Sequence, residues 1–135
     1  MEIILDADVI ISGEKKIFDL PGWLAPRAED RFEVAAITIA ELWHGMERAS
    51  AAHRTRRQKY LEALVAALPI IDYTEETAYY HARLWSDLET SGKIIGPYDL
   101  IVAATALQRG STLATFNRRH FSQVNGLTIL DPKRT

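Results

Sequence analysis

The chain has 135 residues, of which 47% are apolar and 25% are charged, and this is the composition of a globular protein. It contains no cysteine, which excludes disulfides, thiolate catalysis and cysteine-ligated zinc. Because 16 lysines and arginines stand against 18 acidic residues, the formal net charge of −2 excludes a global positive field that would attract nucleic acid.

The amino-terminal run MEIILDADVI begins with an acidic residue, and its apolar stretch stops at Asp6. We therefore interpret it as the first buried strand, Glu2–Leu5, and not as a signal peptide. No uncharged apolar stretch of the sequence is long enough to cross a bilayer, so we expect a cytoplasmic protein without membrane contacts. Since no repeat or linker divides the chain, we expect residues 1–135 to form a single domain.

The next part of the chain predicts a second strand followed by a helix. Residues 12–31 mix lysine, proline and glycine, which indicates a broken helix with loops. Phe32–Ile37 is apolar and β-branched and predicts the second strand. A helix after Thr38 is indicated by apolar residues at helical spacing, which are Ile39, Leu42, Trp43 and Met46.

The rest of the chain continues this alternation of helices and short strands. Three helices are predicted, at Leu61–Leu68 before Pro69, at Thr74–Glu89, and at Tyr98–Gln108 before Gly110. Short strands are predicted at Pro69–Asp72, Thr112–Thr115 and Leu127–Leu130. A polar turn or helix is predicted at 117–123. Alternating strands and helices predict an α/β domain with a mostly parallel sheet and helices on both faces. In such sheets ligands bind beyond the carboxyl ends of the strands, and we expect the functional residues there.

Three acidic residues stand near the predicted starts of helices, and each has an ordinary structural explanation. Asp6 follows the first strand and is a candidate N-cap. Glu41 lies three residues after Thr38, as in a capping box. Asp99 lies in a first helical turn, where the helix dipole favours any carboxylate. Taken singly, none of them requires a function.

Together, however, these acids indicate a metal site. Asp99 precedes an apolar run, and no lysine, arginine or histidine lies within one helical turn of it in the sequence. Because an unpaired buried charge is costly, it needs a partner from elsewhere. A hard divalent cation such as Mg²⁺, which binds oxygen ligands, would satisfy Asp6, Glu41 and Asp99 at once.

Four segments of the chain resemble, in order and spacing, the sequence blocks of PIN-domain ribonucleases, and among these the VapC-like toxins of type II toxin–antitoxin systems. The segments are LDADVII, ITIAELWHGMERA, IGPYDLIVAATAL and LATFNRRHFSQV, and the similarity runs from residue 3 to residue 129. The resemblance implies a PIN-like three-layer α/β/α domain with a central, mostly parallel sheet.

The resemblance also implies an activity, which is the hydrolysis of RNA phosphodiester bonds by a Mg²⁺- or Mn²⁺-dependent endoribonuclease. Its catalytic and metal-ligating acids fall on Asp6, Glu41 and Asp99. Asn117 occupies a further ligand position that is often aspartate in the family, and Asp8 occupies a position where many relatives carry asparagine. We leave the role of Asp8 open. The implied partners are an RNA substrate, a VapB-like antitoxin and a second copy in a homodimer.

Candidate substrate contacts lie beside these positions. The hydroxyls of Thr38 and Thr115 are candidates for hydrogen bonds to phosphate or to a ligand, with capping or packing as the alternative. Arg118 and Arg119 are candidates for phosphate contacts. We interpret the other basic cluster, residues 53–59, as a solvated helix face.

Two other functions remain open on the sequence alone. LDADV imitates the D-x-D motif of haloacid-dehalogenase-type phosphatases, in which Asp6 would be the nucleophile and Asp8 the acid/base, although the lysine and the downstream acidic pair of that family are not evident. The second alternative is a non-catalytic PIN domain that only binds RNA, which the uncharged Asn117 would permit.

Overall fold

Five strands form one sheet in which every pairing is parallel. The strands are β1 (Glu2–Leu5), β2 (Arg31–Ala35), β3 (Ile70–Ile71), β4 (Thr112–Ala114) and β5 (Ile129–Leu130). They lie in the order β3-β2-β1-β4-β5, in a computed structural model that describes residues 1–135. The predicted α/β class is confirmed, and the short strands β3 and β5 form the two edges.

Helices cover both faces of this sheet. They are α1 (Ala7–Glu14), α2 (Leu20–Leu24), α3 (Ala36–Glu47), α4 (Ala51–Ala67), α5 (Glu75–Thr90), α6 (Pro97–Arg109) and α7 (Arg118–Phe121), and a 3₁₀ turn spans Pro132–Arg134. Successive side chains of a strand point to opposite faces. Ile3 and Leu5 accordingly lie in one apolar core with α1 to α4, and Ile4 lies in a second core with α5, α6 and α7. The two cores and the sheet between them form three layers.

The second strand and the third helix meet earlier than the sequence predicts. The strand was expected over Phe32–Ile37, but it ends at Ala35, and the next residues begin α3. Ile37 packs against the core formed with α5 and α6, so tertiary burial overrides its preference for a strand. Ala35 is the N-cap and offers no side-chain hydrogen bond, so the predicted capping box between Thr38 and Glu41 does not form.

The ends of α5 and α6 agree with the sequence, whereas α4 begins at Ala51 and not at the predicted Leu61. Thr74 caps α5, and Gly110 ends α6 in the left-handed region at φ 66°. Within α5, Trp85 is 54% exposed, whereas Leu84 and Leu88 are buried. None of the helices combines the length and the apolar character that crossing a bilayer requires.

Candidate active site

The site begins where two neighbouring strands end. Asp6 follows β1 and Thr115 follows β4, and the two strands pair so that Leu5 lies beside Ala114. The Thr115 hydroxyl donates to Oδ2 of Asp6 at 2.8 Å, and the backbone N–H of Ala7 donates to its Oδ1 at 2.9 Å. Asp6 is therefore the N-cap of α1, as one interpretation predicted, and it also faces the carboxyl edge of the sheet.

Asp8, in the first turn of α1, shares the same threonine. Its Oδ2 accepts the backbone N–H of Phe116 at 3.1 Å and lies 3.3 Å from the Thr115 hydroxyl oxygen. A hydroxyl has one proton, and the shorter distance assigns that proton to Asp6. The backbone N–H of Asn117 donates to the same hydroxyl oxygen at 3.0 Å and fixes its orientation. Thr115 thus positions the carboxylate of Asp6, and the backbone N–H of Phe116 positions that of Asp8.

Glu41 and Asp99 complete an acid cluster, which we define as Asp6, Asp8, Glu41 and Asp99. Glu41 comes from the second turn of α3, and Asp99 from the first turn of α6. The charge of Asp99 raises the pKa of Asp6, and it also raises the pKa of Glu41. The three acids that the sequence singled out therefore lie within electrostatic reach of one another, and Asp8 joins them.

Burial raises the pKa of every member of the acid cluster, and the charges of other members raise it further for Asp6, Asp8 and Glu41. Burial, followed by the charge of Asp8, raises the pKa of Asp6 from 3.8 to about 7, against the lowering effect of the Thr115 hydrogen bond. Burial is also the main cause of the raised pKa of Asp8, Glu41 and Asp99. No lysine or arginine forms an ion pair with any of the four.

The sequence did not predict the one basic neighbour of this cluster, which is His120. Its Nδ1 lies 3.9 Å from Oδ2 of Asp99, and its charge lowers the pKa of that carboxyl. The same nitrogen lies 3.1 Å from Nδ2 of Asn117. When His120 is neutral and carries its proton on Nε2, its Nδ1 accepts from Nδ2 of Asn117, and the amide oxygen of Asn117 remains available as a ligand. His120 stands 21 residues after Asp99, so only the docking of α7 reveals the pair.

The predicted substrate contacts divide into buried and exposed groups. Thr38 and Thr115 have no exposed surface, so their hydroxyls do not face solvent, and a hydrogen bond from either to phosphate stays a prediction. The Thr115 hydroxyl donates to the carboxylate of Asp6, a candidate metal ligand. Arg118 and Arg119 are exposed, and Arg119 lines a depression of about 490 Å³ beside the acid cluster.

The oxygens of the acid cluster fit a divalent cation. Oδ1 of Asp8 and Oε1 of Glu41 are buried without a hydrogen-bond partner, which is costly for carboxylates unless a cation joins them. No three histidine, aspartate or glutamate side chains converge closely enough to hold a metal by themselves. Mg²⁺ typically takes one or two carboxylates and keeps several waters. The cluster therefore fits a hydrated Mg²⁺-like ion better than an ion that protein atoms enclose.

The phosphatase alternative does not fit this arrangement. Its mechanism needs a lysine beside the two aspartates, and no lysine pairs with Asp6 or Asp8.

Comparison with known proteins identifies the family. The PIN domain model matches residues 3–127. Ribonuclease VapC2 of Rickettsia felis is 30% identical over 96 residues, which cover 71% of this chain and 70% of that protein. The tRNA(fMet)-specific endonuclease VapC of Salmonella typhimurium is 31% identical over 101 residues, which cover 75% of each chain.

Solved structures agree with this result. VapBC from Salmonella typhimurium bound to DNA superposes with a TM-score of 0.90 at 26% identity and covers 98% of both chains. VapBC2 from Rickettsia felis, bound to a DNA fragment from its promoter, gives 0.88 at 25% identity over 96% of this chain and 98% of that one. With the parallel sheet and the acid cluster at its carboxyl edge, these matches show that the chain belongs to the PIN-domain family, among relatives that are VapC ribonucleases.

Proposed function

We propose that this chain is a divalent-metal-dependent endoribonuclease and the toxin of a VapBC-like pair. The observation that carries the proposal is the acid cluster, in which four carboxylates meet without a lysine or arginine and two buried oxygens lack any partner. Such a group suits a hard cation, and a hard cation beside an RNA phosphate is a hydrolytic site. Relatives at about 30% identity are named as ribonucleases.

In this proposal Asp6 and Asp99 are the principal ligands of Mg²⁺ or Mn²⁺, and Asn117 supports them with its amide oxygen. Bound there, the ion would supply Lewis acidity and a lower pKa for an attacking water. Glu41 orients that water through its unpartnered Oε1. Thr115 fixes the rotamer of Asp6, and Arg118 and Arg119 bind phosphate oxygens of the RNA from the exposed side of the site.

The partner in this proposal is a VapB-like antitoxin. The solved structures that this fold matches are VapBC complexes. An acid cluster with no arginine of its own is complementary to a basic side chain, so we expect the antitoxin to cover the cluster and to offer it such a group. Expression of the chain alone should arrest growth, and Asp99→Ala should relieve the arrest. Arrest that persists in the variant would contradict the toxin assignment.

The homodimer also stays a prediction. Three exposed apolar side chains on and after α5 favour an interface there, since Tyr79, Trp85 and Ile94 are exposed by 65%, 54% and 85%. Light scattering after size-exclusion chromatography measures the oligomeric state. Trp85→Glu should yield monomers if this surface joins two copies, and an unchanged dimer would place the interface elsewhere.

RNA cleavage by the purified chain tests the nuclease proposal directly. We expect cleavage with Mg²⁺ or Mn²⁺, none in EDTA, and a loss of at least about a hundredfold in Asp6→Ala and in Asp99→Ala, because metal-ion stabilisation of the transition state is worth several kcal/mol. Glu62→Gln is the matched control, since Glu62 is an exposed acid of α4. If the unaltered chain binds RNA but cleaves none with either metal, the non-catalytic alternative is correct.

A further inference from the structure

A basic cleft lies between the carboxyl end of α1 and the amino end of α4, on residues that the proposed mechanism does not use. We call it the α1–α4 cleft. Its volume is about 680 Å³, and its basic lining residues are Lys15, Lys16, His53, Arg56 and Arg57. Lys15 and Lys16 lie far from residues 53–57 in the sequence, and the fold brings them together.

Most of the positive charge in the α1–α4 cleft has no acidic partner. Arg57 is neutralised, because its Nε lies 3.0 Å from Oε1 of Glu14. Lys15, Lys16 and Arg56 form no ion pair with any carboxylate. In a chain of net charge −2, three unpaired cations around one cleft form a local anion-binding surface.

The backbone at Lys16 supports a role for its side chain. Lys16 has φ 58°, and it is the only non-glycine residue of the chain with a positive φ. A side chain in this left-handed region costs about 1–2 kcal/mol, and glycine would avoid the cost. The turn is held by the backbone N–H of Ile17, which donates to the carbonyl of Ser12 at 3.0 Å. The fold thus holds a lysine at this turn despite an unfavourable backbone conformation.

Helix α1 connects the cleft to the acid cluster. Asp8 lies in the first turn of α1, and Lys15 is its C-cap. Lys15 is seven positions after Asp8, which is about 10 Å along the helix axis at 1.5 Å per residue. A polyanion that is bound at the acid cluster can therefore reach the α1–α4 cleft within a few of its monomer units.

We propose that the α1–α4 cleft binds backbone phosphates of the RNA substrate away from the scissile bond, an inference that rests on the proposed nuclease function. The acid cluster repels phosphate, so much of the affinity for RNA must come from cations elsewhere, and lysine and arginine contacts to phosphate supply it. An acidic protein segment is less suitable, because protein interfaces are centred on apolar anchors. Apart from Ala49 and Tyr60, no apolar side chain lines this cleft.

Fluorescence anisotropy with a labelled single-stranded RNA tests this proposal, measured in EDTA so that nothing is cleaved. The double variant Lys15→Gln with Arg56→Gln should weaken binding about tenfold. The slope of log K against log salt should also become shallower by about 1.4, which is about 0.7 for each lost phosphate contact. The double variant Arg83→Gln with Lys93→Gln changes the net charge equally on another surface of the chain and is the matched control.

A second variant separates charge from folding. Lys16→Gly removes a charge and relieves the left-handed backbone, so it should raise the melting temperature and still weaken RNA binding, with a slope shallower by about 0.7. Equal RNA affinity in the cleft and control doubles would overturn the proposal. If the cleft double variant binds RNA as tightly as the unaltered chain but no longer binds a co-expressed acidic protein, the cleft is a protein-binding site instead. Failure of the nuclease function is distinct, because the unaltered chain would then cleave no RNA.

Discussion

Two buried carboxylates on neighbouring strands have opposite surroundings. Glu33 in β2 is 3% exposed, and Asp6 at the end of β1 is 5% exposed. Nη2 of Arg109, from the last turn of α6, lies 3.0 Å from Oε2 of Glu33. Asp6 has hydrogen bonds from a hydroxyl and an amide but no cation, and other carboxylates surround it. One acid is neutralised within the chain, and the other is not.

The difference separates a structural acid from a functional one. An ion pair such as Glu33–Arg109 compensates the charge of the carboxylate within the chain, although Oε1 of Glu33 has no hydrogen-bond partner of its own. The acid cluster keeps its negative charge uncompensated, which raises the free energy of the metal-free fold and the affinity for any cation that arrives. In this protein, stability and metal binding oppose each other at one edge of the sheet.

The largest expected effect is a dependence of stability on pH in the metal-free chain. The folded pKa of Asp6, about 7, lies above its unfolded value of 3.8. Its contribution to stability is therefore fully present below about pH 4 and is lost as the pH rises through 7. About three pKa units at 1.36 kcal/mol each amount to about 4 kcal/mol. Urea unfolding in EDTA between pH 4 and pH 8 measures the loss.

The variant Asp6→Asn isolates this effect from the other titrating groups. It should be more stable than the unaltered chain at pH 8 in EDTA, and the advantage should disappear towards pH 4. Adding Mn²⁺ at pH 8 should stabilise the unaltered chain and leave the variant nearly unchanged. If the free energies of unfolding of the two proteins change with pH in the same way, Asp6 carries no unfavourable charge.

The second prediction concerns the paired acid. Arg109→Ala leaves Glu33 buried without a cation and should destabilise the fold by about 2–3 kcal/mol at neutral pH, because removing one partner of a fully buried pair costs about 3–5 kcal/mol and Arg109 is partly exposed. Chemical denaturation measures the change. Replacing both residues by leucine should recover most of the loss, and a double variant no better than Arg109→Ala would contradict this account.

The third prediction tests the threonine between the two acids. Thr115→Val keeps the shape but removes the hydroxyl that donates to Asp6, so Mn²⁺ affinity should fall about ten- to a hundredfold, as is typical for groups that orient metal ligands. Titration calorimetry measures the affinity. Thr105→Val is the matched control, because Thr105 is also buried but donates only to the carbonyl of Ile101 in its own helix. Equal affinities in the two variants would remove Thr115 from the site.

The smallest effect is expected at Asn117. This residue is exposed and contributes no charge, so Asn117→Ala should lower Mn²⁺ affinity only about two- to fivefold, in the range of a neutral polar contact. The same titration measures it. Asn117→Asp should bind Mn²⁺ more tightly than the unaltered chain. A loss in Asn117→Ala as large as that in Asp99→Ala would make the amide a principal ligand.

Local signals in the sequence were enough to predict most of the fold. The buried strand before Asp6 and the glycine that ends α6 are local features, and both are confirmed. The start of α3 was misplaced, because Ile37 has a strand preference that its packing against α5 and α6 overrides. That error also produced a false capping box at Glu41. Local patterns thus predict elements better than they predict the residue at which one element becomes the next.

The candidate site was predictable in part. In the sequence Asp6, Glu41 and Asp99 each stand near the predicted start of a helix, and this regular placement indicated a common site, although Glu41 lies in the second turn of α3. The approach of His120 to Asp99 and the position of Asp8 beside Thr115 arise from segments far apart in the sequence. Contacts of this kind depend on the docking of whole elements, which no periodicity encodes.

The edges of the sheet limit how another protein can hold this one. β3 and β5 have two residues each. An extended peptide that joins a sheet gains affinity from a row of main-chain hydrogen bonds, and such short strands provide very few. A protein inhibitor of this enzyme must therefore bind side chains on helices and in clefts. Its selectivity among related toxins can then change through single surface substitutions, without any change in the backbone.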